Sequence, residues 1–474
     1  MKKKNLLGAA ILAALLFGNV NQISYAQVVA DDSTKAAITN VIVKPDYAQL
    51  DKDLQVLIDD KEHGVPGLGV AVVKNGKLTY EKTLGSRYID NENPKNNLPL
   101  NRDTKLRIAS ISKTFTAVAY MQLVEQGKID LDKDISEYLG FKLRNPNYPD
   151  VPITSRMLLS HTSSLRDGRV YAIAPEYSVE EFFVPDGKFY ENGAHFAPEG
   201  EAPGKFFHYT NLNYGLLGTI IEKVTNTRFD DYMRNTVIKQ MDIDASYNVA
   251  DFSKKELKNL GVIYQKQSNG VWDNNGPWVA QIDDYSNLKV DHNIVYVNNP
   301  DVRAEDSFYD LTNYKIGTNA TIFSPQGGLR ISLKDLEKWM LMFINDGKYD
   351  GKQILSKESV DLMFEPYWTL NADKSNGITY GGLMNCYGLG IQNMRNIDKD
   401  RFLADRDIAM SGHFGEAYGL LAGMFVDREK KNGFIYVMNG MASSEGDNAG
   451  QYSGMYRWEE RFCTAILNDA FKEL

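Results

Sequence analysis

Residues 107–127 read RIASISKTFTAVAYMQLVEQG; Ser110-Ile111-Ser112-Lys113 leads into Phe115, Val118, Met121, Leu123 and Val124 before Gly127. The apolar positions recur at helical spacing, and glycine suits the left-handed residue that closes a helix. The spacing predicts a helix beginning at Ser110, with a hydroxyl and an amine three residues apart on one face of its first turn. That is the geometry of a nucleophile and its base. The helix dipole favours a developing alkoxide, and the backbone N–H of Ser110 can face an oxyanion. Lys113 must then lose its proton, which requires burial or a nearby cation to bring a pKa of about 10.4 towards neutrality. A second S-x-x-K, Ser286-Asn287-Leu288-Lys289, has no apolar-periodic helix behind it and reads as a chance match.

Upstream, Asp46 follows Pro45 in an N-cap context, and Leu50, Leu54, Leu57 and Ile58 predict a helix ending before Gly64. Residues 67–73 and 77–85 are strand-like runs around Asn75-Gly76, the strongest short hairpin signal. Downstream, residues 128–323 are loop-rich with short helical stretches such as 212–224, and are expected to form an inserted, substrate-facing subdomain. The aromatic passage 272–285, including Trp278, is a candidate cleft wall or plain packing. Strands return at 387–392, 418–426 and 434–439, the last two joined across a charged turn containing Asn432-Gly433. Trp458, Phe462, Ala465, Ile466 and Ala470 give a closing amphipathic helix. The expected fold class is α/β: an antiparallel sheet flanked by helices, with an inserted, mostly helical and loop-rich subdomain.

The chain opens with Lys2, Lys3 and Lys4, an apolar run over residues 6–17 and the small residues Ser24 and Ala26 at cleavage-specifying positions. A signal peptide over 1–26, a polar leader over 27–45 and a catalytic domain over 46–474 are expected, with a periplasmic or secreted location. The apolar run falls short of the roughly 20 residues that span a bilayer, and no cysteine follows it to carry a lipid, so no stable membrane anchor is expected. Removing the three lysines takes the formal charge from −9 to −12, an acidic balance that argues against nucleic acid or anionic lipid as a partner. Cys386 and Cys463 could pair or remain buried thiols. No Gly-x-Ser-x-Gly elbow and no H-E-x-x-H occurs, so neither an α/β-hydrolase nor a zinc peptidase is indicated, and no metal or cofactor is implied.

S-x-x-K is one mark of penicillin-recognising enzymes. Here it stands with residues 157–165, MLLSHTSSL, then Tyr209-Thr210-Asn211 ahead of Tyr214-Gly215-Leu216-Leu217-Gly218, then residues 324–329, SPQGGL, and finally Gly412-His413-Phe414-Gly415. In this order the segments resemble the serine β-lactamase-like superfamily. Within it they are similar to the class C branch of D-alanyl-D-alanine carboxypeptidases, class C β-lactamases, esterases and D-amino-acid peptidases. The second segment matches the family's L-L-S-H-T-S-G-L except that Ser164 replaces the glycine. The third motif reads H-x-G where class C β-lactamases have K-T-G, which argues against a dedicated β-lactamase.

The resemblance implies that Ser110 attacks an acyl carbon, that Lys113 and Tyr209 relay its proton, and that Asn211 orients Lys113 and substrate. It also implies that His413 and Gly415 shape the third motif, and that the backbone N–H groups of Ser110 and Glu416 stabilise the oxyanion. Which of Lys113 and Tyr209 is the base stays open. His413 would read a substrate carboxylate more weakly than lysine, and His161 is expected to be structural. The substrate implied is a small peptide, ester or peptidoglycan-like molecule. A D-alanyl-D-alanine carboxypeptidase-like amidase leads, ahead of an esterase, a β-lactamase and a non-catalytic wall-binding protein; oligomeric state stays open.

Overall fold

The computed structural model describes residues 47–60, 64–284, 294–296, 308–442 and 449–472. Its sheet starts at the Asn75-Gly76 turn, where φ values of 51° and 74° supply the left-handed pair that a two-residue hairpin needs. Strand β1 (Gly67–Lys74) runs into this turn and β2 (Lys77–Tyr88) out of it. They are joined by β3 (Leu98–Pro99), β4 (Trp368–Thr369), β5 (Cys386–Tyr387), β6 (Gln392–Met394), β7 (Met410–Ala417), β8 (Leu420–Asp427) and β9 (Asn432–Met438). The spatial order is β4-β5-β6-β7-β8-β9-β1-β2-β3. Every pairing of these strands is antiparallel.

Both faces of this sheet are covered, which is why β1 reads GLGVAVVK with no polar alternation and is buried from Gly67 to Val73. The helices that cover the sheet and carry the site are α1 (Ala48–Ile58), α2 (Ser112–Glu125), α3 (Leu212–Thr225), α4 (Leu333–Ile344) and α5 (Arg457–Ala470). Helix α4 lies against β1, with Leu333 3.4 Å from the point where a Cβ on Gly69 would sit. Phe115 of α2 stacks on Trp339 of α4 with ring centroids 3.8 Å apart, and Trp339 Nε1 donates to Thr114 Oγ1 at 2.9 Å. Helix α2 is buried from Ser112 to Leu123, as expected of a helix enclosed on all sides. On the opposite sheet face the Tyr436 hydroxyl donates to Glu459 of α5 at 2.5 Å.

Several expected boundaries are corrected. The run 387–392 is two short strands, because Gly388-Leu389-Gly390 bends between them and Gly390 has a φ of 76°. The run 418–426 begins as a turn: Tyr418 and Gly419 take φ values of 58° and 103°, and β8 starts at Leu420. Asn432-Gly433 lies inside β9, paired with Asp427 and Val426, so the connecting turn is made by residues 428–431. Cys386 and Cys463 are buried and not joined to each other. The signal peptide, the leader and Asp46 lie outside the described residues, as do Ser286-Asn287-Leu288-Lys289. Among the described residues no helix is long and apolar enough to cross a membrane.

A three-stranded sheet aims the site. Lys105–Arg107 pairs with Arg330–Ser332, which also pairs with Ala245–Ser246. Buried Asp283 accepts from Arg330 at 2.7 Å and from Arg107 at 3.4 Å, tying the segment after Trp278–Ile282 to the strand that leads into Ser110.

Candidate active site

The chain reaches Ser110 through Ala109, whose φ of 43° turns it sharply out of the Lys105–Arg107 strand. Ser110 lies in a 3-10 turn, Ala109–Ile111, and the α-helix begins only at Ser112, two residues later than the spacing predicts. The tighter turn stacks residues i and i+3, and Lys113 Nζ lies 2.9 Å from Ser110 Oγ.

Lys113 is fully buried. Its Nζ also contacts Asn211 Oδ1 at 2.9 Å and Gln326 O at 3.0 Å, and sits 4.6 Å from the Tyr209 ring centroid. Burial lowers its pKa to about 7, against the opposing pull of Asp167. A neutral amine has two N–H donors and one lone pair. Asn211 Oδ1 and Gln326 O can only accept, so both N–H groups are committed to them and the lone pair is left for the proton of Ser110.

Tyr209 and Asn211 approach from the segment that enters α3. The Tyr209 phenol borders the same cavity as Ser110, and burial holds its pKa well above 10, so at neutral pH it is protonated. Asn211 Nδ2 donates to Asp167 Oδ2 at 3.0 Å, and the other oxygen of Asp167 receives the Leu212 N–H at 2.8 Å. His161 lies beneath Tyr209, with ring centroids 4.3 Å apart; its Nδ1 accepts from Thr210 N at 3.0 Å and its carbonyl from His208 N at 2.9 Å. Burial keeps its ring uncharged. It supports the Tyr209 segment.

Ser164, at the family's glycine position, has a φ of 61°. Its hydroxyl donates to Glu201 O at 2.7 Å and accepts from Asn145 Nδ2 at 2.7 Å, which offsets the backbone cost.

The third motif runs along β7, which lies so close to the Ser110 turn that a Cβ on Gly415 would come within 2.5 Å of Ile108 O. Ala417 and Leu420 flank a two-residue turn and exchange both ladder bonds, so Glu416, opposite Leu421, directs its N–H away from β8. His413 lies on this strand, buried. Its Nδ1 donates to Phe414 O at 2.5 Å and its Nε2 accepts from the Tyr387 hydroxyl at 2.7 Å, so both nitrogens are engaged. Burial and Lys113 bring its pKa down to about 3, so it offers no charge to a carboxylate at neutral pH.

Ser110, Tyr209, Asn211, His413 and Glu416 border one cavity of about 540 Å³. Tyr171, Tyr309, Tyr380 and Tyr418 also line it, as do Arg107 and Arg169. The passage 272–284 does not line it; Trp278 packs under Lys266, 5.4 Å from the ring centroid, and Tyr285 lies outside the described residues. Three participants escaped the sequence reading: Asp167, Gln326 through its carbonyl, and Tyr387. Asp167 stands two residues after a quoted motif and Gln326 inside another, but nothing local marks their contacts.

A scan against family models matches Beta-lactamase over residues 47–453. Protein flp of Staphylococcus aureus strain N315 is 28% identical over 237 residues, covering 48% of this chain and 44% of that protein. The match therefore spans less than half the length of that relative. Among solved structures, the octameric penicillin-binding protein homologue from Pyrococcus abyssi is 24% identical, with TM-score 0.59 over 89% of this chain and 77% of that one. The D-amino acid amidase from Ochrobactrum anthropi SV3 complexed with D-phenylalanine is 18% identical, with TM-score 0.56 over 90% and 100% of the two chains. At these identities the structures share the fold.

Proposed function

The chain belongs to the beta-lactamase family, and from that membership we propose that it is a serine hydrolase that forms an acyl-enzyme on Ser110 and acts on peptide or amide bonds in the manner of a D-alanyl-D-alanine carboxypeptidase. The observation that carries the reading is the Lys113 amine 2.9 Å from Ser110 Oγ, buried to a pKa of about 7 and with its two N–H groups occupied elsewhere. Lys113 takes the Ser110 proton as the oxygen–acyl bond forms. The backbone N–H groups of Ser110 and Glu416 receive the oxyanion, a pair in which one donor is typically worth about 3 kcal/mol. The proton then passes by way of Tyr209 to the leaving group. Asn211 holds Lys113 and borders the substrate, Gly415 permits the close approach of β7, and His413 packs behind the motif. Water hydrolyses the acyl-enzyme and returns Ser110.

A phenol held protonated beside Ser110 favours an amide substrate, because an amine leaves only when protonated whereas an alkoxide from an activated ester needs less help. Esterase activity is the second reading, supported by the uncharged His413. The lysine cluster and apolar run of residues 1–26 support placing this chemistry in the periplasm or outside the cell. Release of D-alanine from an N-acyl-D-alanyl-D-alanine peptide, measured beside hydrolysis of a p-nitrophenyl ester, tests the assignment. D-alanine release lost in Ser110→Ala supports the peptidase, ester cleavage alone makes the protein an esterase, and neither activity removes both.

A further inference from the structure

We propose that Asp167 is a positioning residue: through Asn211 it holds the Lys113 amine on Ser110, and its charge sets the pH at which that amine becomes a base. The proposal rests on the reading of Ser110 and Lys113 given above. Four groups form one unbroken line. Asp167 Oδ2 receives Asn211 Nδ2 at 3.0 Å, Asn211 Oδ1 receives Lys113 Nζ at 2.9 Å, and Lys113 Nζ meets Ser110 Oγ at 2.9 Å. An amide can rotate to present either end, and oxygen must face Lys113. Asp167 decides this, because a carboxylate accepts and therefore fixes the nitrogen of Asn211 on its own side.

The other carboxylate oxygen accepts the Leu212 N–H at 2.8 Å, at the start of α3, where the helix dipole favours an anion. Asn211 is helical and makes no side-chain cap of its own, so the cap comes from a different segment. Both carboxylate oxygens accept, from Asn211 Nδ2 and from the Leu212 N–H, which favours the ionised form, while burial pushes its pKa upward.

The groups that face Lys113 are the Tyr209 and Tyr214 rings, His161, His413 and Asp167. Burial keeps both histidines neutral and Tyr209 protonated, and Tyr214 is likewise pushed up. Asp167 in turn faces Lys113, Tyr171, Tyr209 and Tyr380, and neighbours Arg166, which is paired with Glu201. Of the groups around Lys113, Asp167 is the carboxylate, and its two oxygens receive Asn211 Nδ2 and the Leu212 N–H. Removing it makes the amine easier to deprotonate and a weaker base.

The test is the pH profile of kcat/KM for p-nitrophenyl acetate in the full-length protein and in Asp167→Asn, Asp167→Ser, Asp167→Glu and Ser110→Ala. Asparagine and serine remove the charge and still offer an oxygen to the Leu212 N–H. Both are expected to move the acid limb, near pH 7 in the native protein, down by about one pH unit. The plateau is expected to fall about 10-fold. Asp167→Glu keeps the charge and is expected to lose rate with the limb in place. If the neutral variants lose rate while their limbs stay at the native pH, Asp167 is only a helix cap and the proposal is overturned. A fully active Ser110→Ala instead overturns the reading beneath it.

Discussion

Replacing Lys113 by methionine separates the burial of its charge from its hydrogen bonds. Burial brings its pKa from 10.5 to about 7 in the folded protein. Between these values the unfolded chain binds more protons than the folded one, so stability rises with pH. At 1.36 kcal/mol per pH unit, Lys113 makes the native protein about 4 kcal/mol more stable at pH 10 than at pH 6. Lys113→Met lacks this dependence. It leaves Asn211 Oδ1 and Gln326 O without their donor, at a cost of about 1–3 kcal/mol each that does not vary with pH. Urea unfolding of both proteins at pH 6 and pH 10 is the assay, and the difference between them cancels groups that titrate alike. The gap in favour of the native protein is expected to widen by about 4 kcal/mol on going to pH 10, while activity falls about 100- to 10,000-fold. A gap that stays constant across this range refutes the buried, readily neutralised lysine and the general base built on it.

Gly415→Ala places a Cβ 2.5 Å from Ile108 O and must push β7 off the Ser110 turn, so kcat for ester hydrolysis is expected to fall about 100-fold or more. Tyr387→Phe removes the donor to the buried Nε2 of His413, and thermal melting should report a loss of about 1–3 kcal/mol. The His413 pKa of about 3 implies that native stability falls as pH drops from 6.5 towards 3, because the unfolded chain takes up the proton first; His413→Gln should flatten that part of an acid-unfolding curve. Ser164→Ala keeps a left-handed residue and loses both hydroxyl bonds, whereas Ser164→Gly relieves about 1 kcal/mol of backbone cost. Melting temperatures are therefore expected to place the glycine variant above the alanine one.

Ser110, Lys113, Tyr209 and Asn211 could be read from the sequence because each lies in a local pattern: a helix start with its apolar face, and a short motif ahead of a second helix. The Asn75-Gly76 hairpin was legible for the same reason. Burial on both sheet faces erased the period of two in β1 and β8, so strand ends around 387–392 and 418–426 were blurred. Asn432-Gly433 looked like a turn, but Gly433 serves packing: a Cβ there would lie 2.9 Å from Met340 Sδ of α4. Asp167 and Tyr387 were missed because their partners, Asn211 and His413, come from other elements. His413 was recognised by its motif, but nothing local announces Tyr387 at its second nitrogen.

The most direct test of the central claim is intact-mass spectrometry of the native protein and Ser110→Ala after acid quenching, with benzylpenicillin and with p-nitrophenyl butyrate, followed by peptide mapping. An acyl adduct on the peptide containing Ser110, absent from the variant, is the result expected. An adduct on another residue, or turnover undiminished in Ser110→Ala, would contradict the account.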